Sequence, residues 1–338
     1  MPELPEVERA RQLLHMRCIN KEITWVRAVD DSIVFPEQRG HSLALKLKGR
    51  RVIDTGRRGK HFWLMLSGGL NLFLHFGMSG DIHVSDEART RYRKVDVDVG
   101  GAWPPLYTKL EMEFGKDLAV AFTDPRRLGR IRIFEGDALQ APVIQKLGFD
   151  PVLNPPCFED FRQMVLKRRS PIKALLLNQS FSAGIGNWIA DEVLYQSKVH
   201  PSQPACTLSD LQIRLLLERI RTVCVTAVEA NADSERFPAD WLFHHRWSKA
   251  RSKSKSKSKS SQQTLPNGLS IDFVTVGGRT SAFVPDVQVL APSDVSPSDT
   301  EVEEEEDRVP PPNPSPTVRK PTIIRRKFGL KRATVCEE

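Results

Sequence analysis

The sequence predicts an α+β protein: an all-β unit first, a helical unit second, and a β-hairpin after that. From Ile23 to about Phe134, apolar residues form short runs or alternate with polar ones, parted by Gly pairs and Pro, as in a sandwich or barrel. After Leu147-Gly148-Phe149-Asp150-Pro151 the apolar spacing becomes helical. Further on, Val276-Gly277-Gly278 separates two strand-like runs, a hairpin signal because glycine adopts the positive φ of a tight turn.

In chain order, residues 5–16 read as a helix with Val7, Ala10 and Leu14 on one face. Val95, Val97 and Val99 alternate with Asp96 and Asp98, and Leu110, Met112 and Phe114 with Glu111 and Glu113. Residues 62–66, 70–76 and 118–122 read as buried strands. Ile172, Leu175 and Leu176 make one helical stripe, and Ile185, Ile189 and Val193 another, linked by a turn-rich segment from Asn178 to Asn187. Ser209-x-x-Gln212 is a capping box opening a helix through Ile213, Leu217, Ile220, Cys224 and Ala227. A Ser-Lys repeat at about 249–263 cannot build a core and reads as a mobile basic loop. Residues 269–275 and 279–284 flank the hairpin turn. Beyond about Leu290 the Pro, Ser and acidic composition reads as disorder, with a basic patch at Arg325, Arg326, Lys327, Lys331 and Arg332. The expected units are therefore 1–135, 145–248, the loop 249–264, the hairpin 265–290 and the tail 291–338.

A length of 338 residues accommodates two cores and a tail, and the net charge of +8 favours a polyanionic partner. Five scattered cysteines with no CxxC pair show neither a disulfide framework nor a cysteine zinc site, so a reducing compartment is expected. The eight histidines show no metal-ligand spacing. No apolar run is long enough to span a bilayer, and no charged-then-apolar leader is visible.

The opening, Met1-Pro2-Glu3-Leu4-Pro5-Glu6, carries the first chemical possibility. If Met1 is removed, Pro2 presents a secondary amine with a pKa near ~7.7–8.0, partly neutral and nucleophilic at cellular pH. Such an amine can form an iminium, with Glu3 and Glu6 as acid/base partners. Any targeting segment ahead of it would have to be cleaved away, so an address is expected elsewhere. Pro and Glu here are equally ordinary helix-start residues. Lys60, after Arg57-Arg58-Gly59, can hold a phosphate or be a solvated surface lysine. Met78, between glycines in Phe76-Gly77-Met78-Ser79-Gly80, is core filler or a wedge for a base stack, and Arg127 and Leu128 share that ambiguity. Ala183-Gly184-Ile185-Gly186-Asn187 opens a helix, where free N–H groups favour an anion, or it is a plain connector. Arg279 at the hairpin turn suits a phosphate, though exposed hairpin arginines are common.

Six stretches taken together, residues 1–8, 57–60, 76–80, 124–129, 184–187 with Ala190-Asp191-Glu192-Val193-Leu194, and 277–284, resemble the formamidopyrimidine-DNA glycosylase/endonuclease VIII family in its own order. The resemblance spans residues 1 to about 290. It implies an N-terminal β-sandwich domain and a helix–two-turn–helix C-terminal domain, with double-stranded DNA carrying oxidised bases or abasic sites held between them. It further implies a monomer that needs no cofactor, metal or membrane.

By the same resemblance the catalytic positions are Pro2, Glu3 and Lys60. Pro2 would attack C1′ of the damaged nucleotide and Glu3 would protonate the sugar ring oxygen; β- and δ-elimination would then leave a one-nucleotide gap. Glu6 matches a position near the pocket; Lys60, Asn187 and Arg279 match phosphate ligands; Met78 and Arg127 match void fillers. The third filler is usually phenylalanine, and here Leu128 stands at that position. The segment 275–284 resembles the zincless finger of plant and fungal members, so apolar residues around the turn are expected to fix it instead of a metal. No lesion-capping loop aligns between Trp241 and the hairpin, where the Ser-Lys repeat lies. Like other zincless relatives, the chain is expected to prefer formamidopyrimidines and hydantoins over 8-oxoguanine. The Ser-Lys repeat and the tail's basic patch read as nuclear-import or DNA-tethering segments, or as solvated tail, and a nuclear location is expected.

Two other readings use the same residues. One is a non-catalytic damaged-DNA-binding module that keeps the helix–two-turn–helix. The other is a tautomerase with an N-terminal proline base, which would have no use for a long basic chain and a helical second unit.

Overall fold

The computed structural model describes residues 2–85, 103–246 and 263–290. The alternation at 95–99, the Ser-Lys repeat and the tail with its basic patch lie outside the described residues.

Helix α1 (Leu4–Cys18) has Pro5 and Glu6 in its first turn and His15 and Arg17 in its last, charges that suit the helix dipole. It serves two cores. Leu4 packs into the core of the helical part, whereas Val7, Ala10, Leu14 and Cys18 pack into that of the strand-rich part.

Strand β1 (Trp25–Ala28) leads to helix α2 (Gly40–Leu47), where the sequence pattern had suggested only strands. Leu43, Leu45 and Leu47 alternate as a strand would; the helix buries Leu43 and Leu47 and leaves Leu45 exposed. Tertiary packing thus overrides a local period of two. Then follow β2 (Val52–Arg58), β3 (His61–Leu66), β4 (Leu70–His75), β5 (Asp81–Val84), β6 (Thr108–Glu113), β7 (Ala119–Thr123) and β8 (Arg130–Glu135). They form two antiparallel sheets ordered β1-β6-β7-β5 and β2-β3-β4-β8. Phe62, Leu64, Leu72 and Leu74 of one sheet share a core with Leu110, Met112, Val120 and Phe122 of the other, which makes a sandwich. Phe114 is buried just past the end of β6, and Glu111 on the outer face is buried too, bonded by Arg27 and the Trp103 indole.

Helix α3 (Pro142–Gln145) packs Ile144 against Trp63 and Phe73 of the first part, and the second part contains α4 (Phe158–Leu166), α5 (Ile172–Leu177), α6 (Asn187–Gln196) and α7 (Asp210–Glu229). The capping box at Ser209 and Gln212 forms as the sequence predicts. Leu216, rather than Leu217, joins Ile213, Ile220 and Cys224 in the buried stripe, and Leu217 lies at its edge. The hairpin pairs β9 (Asp272–Val276) with β10 (Arg279–Phe283), starting three residues later than the pattern suggested. Gly277 and Gly278 have φ of 57° and 68°, the two positive angles of a tight hairpin turn. Among the described residues, no helix is long and apolar enough to cross a membrane.

Candidate active site

The start of α1 is bound to the start of α6. Leu4 N–H donates to the Gly184 carbonyl at 3.1 Å. The Glu3 carboxylate accepts from the N–H groups of Gly186 (2.8 Å), Trp188 (2.9 Å) and Ile189 (3.1 Å), so it fills the role of a helix cap from 183 residues away. The acceptor that the free N–H groups of the glycine turn meet is thus one the chain itself supplies. A Cβ on Gly186 would lie 2.3 Å from Glu3 Cδ, and one on Gly184 would lie 2.9 Å from Leu4 Cβ, so these glycines permit close backbone approach.

Around this joint three ionisable groups face one another. Glu3 is buried, and burial raises its pKa against the pull of Lys60 and of the Trp188 and Ile189 N–H groups. Glu6 accepts the Glu3 N–H at 2.8 Å through Oε2, while its buried Oε1 has no protein partner. Burial, and then the neighbouring Glu3, push Glu6 up to about 7. Lys60 lies at the turn between β2 and β3; burial lowers its pKa, Glu3 and Glu6 oppose that, and Arg279 adds to it. Lys60 is therefore part of the joint and not a solvated surface lysine. Pro2, half-buried, immediately precedes Glu3 at this convergence.

Beneath the site a buried arginine ties the two parts together. Arg57 donates to Asp150 at 2.6 Å and to Glu8 at 2.9 Å, and Gly59 N–H reaches the same Asp150 carboxylate at 2.8 Å. Asp150 lies in the segment that sequence reasoning read only as a boundary. Arg57 and Gly59 lie more than ninety residues from it, beyond the reach of any local pattern.

Asn187 reaches the hairpin at the residue after Arg279. The Asn187 amide donates to the Thr280 carbonyl at 3.0 Å, while its buried Oδ1 has no protein partner. Arg279 begins β10 and is exposed. Buried Asp191 of α6 pairs with Lys173 and Arg246 and accepts the Ala282 N–H at 3.2 Å; Lys173 also reaches the Thr280 carbonyl. Leu242, Leu265, Ile271, Ala282 and Val284 pack alongside. Beside these apolar residues, the buried charge cluster of Asp191, Lys173 and Arg246 shares the task of holding the hairpin. Each of its members reads as a surface charge in isolation. Among the described residues, no group of three or more His, Cys, Asp or Glu is placed to hold a metal ion.

Met78 and the Arg127-Leu128 pair lie on loops that touch. A Cβ on Gly77 would lie 2.3 Å from the Leu128 carbonyl, and Ser79 donates to Asp124 at 2.8 Å. His75, held neutral by burial, accepts the Gly77 N–H at 3.1 Å and packs its ring at a tilt against His61. Met78 is half-buried and Leu128 exposed, so neither is core filler. Arg127 has φ of 57°, a conformation that costs a non-glycine residue on the order of 1 kcal/mol. Its guanidinium binds Asp31 through Nε (2.8 Å) and Nη2 (3.1 Å). Nothing in the sequence singled out Asp31.

A sandwich and a helical domain, joined where the amino terminus caps an internal helix, define a recognisable class. Residues 1–131 match the profile of the formamidopyrimidine-DNA glycosylase N-terminal domain, and residues 147–239 match that of the H2TH domain. A formamidopyrimidine-DNA glycosylase of Arabidopsis thaliana is 38% identical over 290 residues, covering 86% of this chain and 71% of its own. One from Thermus thermophilus is 34% identical over 230 residues, 68% of this chain and 76% of its own. Among solved structures, the Lactococcus lactis formamidopyrimidine-DNA glycosylase non-covalently bound to DNA with an AP site has a TM-score of 0.66 at 25% identity, covering 85% of this chain and 99% of that one. The chain belongs to the formamidopyrimidine-DNA glycosylase family.

Proposed function

We propose that this chain, a DNA glycosylase of base excision repair by its family, is also an AP lyase and works through Pro2. With Met1 removed, the Pro2 nitrogen bonds to C1′ of the damaged nucleotide as the C1′–base bond breaks, and this closed-ring adduct becomes an iminium when the C1′–O4′ bond opens. Glu3, its pKa raised by burial, gives a proton to the ring oxygen and opens the sugar. β- and δ-elimination then release both flanking phosphates and leave a one-nucleotide gap. Lys60, Asn187 and Arg279 bind phosphates, Glu6 borders the base pocket, and Met78, Arg127 and Leu128 fill the space of the extruded nucleotide.

The observation that carries this reading is the joint itself. Pro2 and Glu3 sit at the start of α6, and Lys60 and Arg279 both act electrostatically there. Substrates are oxidised purines in duplex DNA, with formamidopyrimidines and hydantoins preferred over 8-oxoguanine. The hairpin acts as a finger without zinc, and the protein works as a nuclear monomer. Borohydride added to the protein with abasic-site DNA should trap a covalent adduct that Pro2→Gly abolishes. DNA binding without an adduct would favour a binding module instead. A chelator should leave cleavage intact.

A further inference from the structure

We propose that Asp31 is a positioning residue for Arg127, deciding which edge of the guanidinium faces the DNA and so setting discrimination of the base opposite the lesion. The inference rests on the reading of Arg127 as a filler of the emptied space. Asp31 lies in the loop between β1 and α2, 96 residues from Arg127. It is buried, yet it belongs neither to the joint around Glu3 nor to the Arg57 cluster.

Its oxygens have distinct tasks. Oδ1 accepts the N–H groups of Ile33 (3.1 Å) and Val34 (3.3 Å) together with Arg127 Nη2 (3.1 Å). Oδ2 accepts Arg127 Nε (2.8 Å) and Lys109 Nζ (3.1 Å). Backbone donors anchor the carboxylate, so the flexible arginine comes to it. These neighbouring cations and N–H groups hold the Asp31 carboxyl well below the usual range, and it stays charged.

A guanidinium has five N–H donors. Binding Asp31 through the Nε–Nη2 edge uses two of them and leaves the Nη1–Nη2 edge facing away from the carboxylate. That second edge matches two adjacent acceptors. On the pairing edge of an unpaired base, only cytosine presents such a pair, N3 beside O2. An arginine without Asp31 would turn any donor toward any base. The positive φ of Arg127 and the Gly77–Leu128 contact hold the loop itself in place, so the rotation of the side chain is what Asp31 controls.

The test uses a formamidopyrimidine lesion opposite each of the four bases, with abasic single-stranded DNA as the control that has no opposite base. Asp31→Asn keeps an oxygen for Ile33 and Val34 but turns an amide toward Arg127 Nε and Lys109. The cytosine-over-adenine rate ratio should fall about tenfold, the size of a broken charged contact, while single-strand cleavage stays within about twofold. Arg127→Ala should lower the same ratio, and adding Asp31→Asn to it should change nothing further. A ratio unchanged by Asp31→Asn, or additive effects in the double variant, overturns the proposal. If Asp31→Asn also loses single-strand cleavage, Asp31→Glu takes its place, moving the carboxylate by one methylene; the same fall supports the proposal and an unchanged ratio overturns it. A wild-type protein inactive on all these substrates would defeat the proposed function rather than the role of Asp31.

Discussion

Gly186 N–H and the Glu3 carboxylate are joined by a 2.8 Å hydrogen bond across 183 residues of sequence. The acid proposed for ring opening is therefore also the cap of α6, and chemistry and architecture meet in one side chain. Glu3→Ala should destabilise the fold by about 1–2 kcal/mol in denaturant unfolding, because three helix-start N–H groups lose their acceptor, and should abolish cleavage. Glu3→Gln keeps an acceptor oxygen, so it should recover most of the stability and none of the cleavage. Equal stability of the alanine and glutamine variants would separate Glu3 from the capping role.

Glu6 gives the fold a pH dependence whose sign is determined. The unfolded chain titrates Glu6 at 4.5 and the folded chain at about 7, so folding favours the protonated form. The resulting stabilisation is fully present below 4.5 and is lost as pH rises through about 7. Unfolding free energy measured from pH 4 to 8 should therefore flatten in Glu6→Gln relative to wild type, and the variant should gain stability toward pH 8. Parallel profiles would show that Glu6 titrates normally.

Asp191 holds the hairpin to the helices through Lys173, Arg246 and the Ala282 N–H. Asp191→Ala takes the shared carboxylate away from buried Lys173 and Arg246, a loss of about 3–5 kcal/mol. Hydrogen exchange of the hairpin amides of Thr280 and Ala282 should rise first, and DNA affinity should fall with it. Unaltered exchange there would mean that the apolar cluster alone anchors the hairpin.

Arg279 stands exposed at the first position of β10. In Arg279→Ala the slope of log affinity for DNA against log salt should become shallower by about one unit, the loss of one phosphate contact. A slope that does not change would take Arg279 out of the phosphate set.

The sequence by itself determined what is local: a strand-rich part followed by a helical one, the capping box at Ser209, the glycine turn of the hairpin and the six stretches that mark the family. Each depends on spacing over a few residues, and spacing is written directly in the chain. Only the tertiary structure decided that Leu43, Leu45 and Leu47 form a helix, that half-buried Lys60 faces two carboxylates, and that charges help hold the hairpin. It alone paired Glu3 with α6, Arg57 with Asp150 and Arg127 with Asp31. Those partners lie from about ninety to nearly two hundred residues apart. An ionisable side chain carries no sequence signal for whether it meets water or a distant counter-charge, because that depends on which surfaces the folded cores bring together.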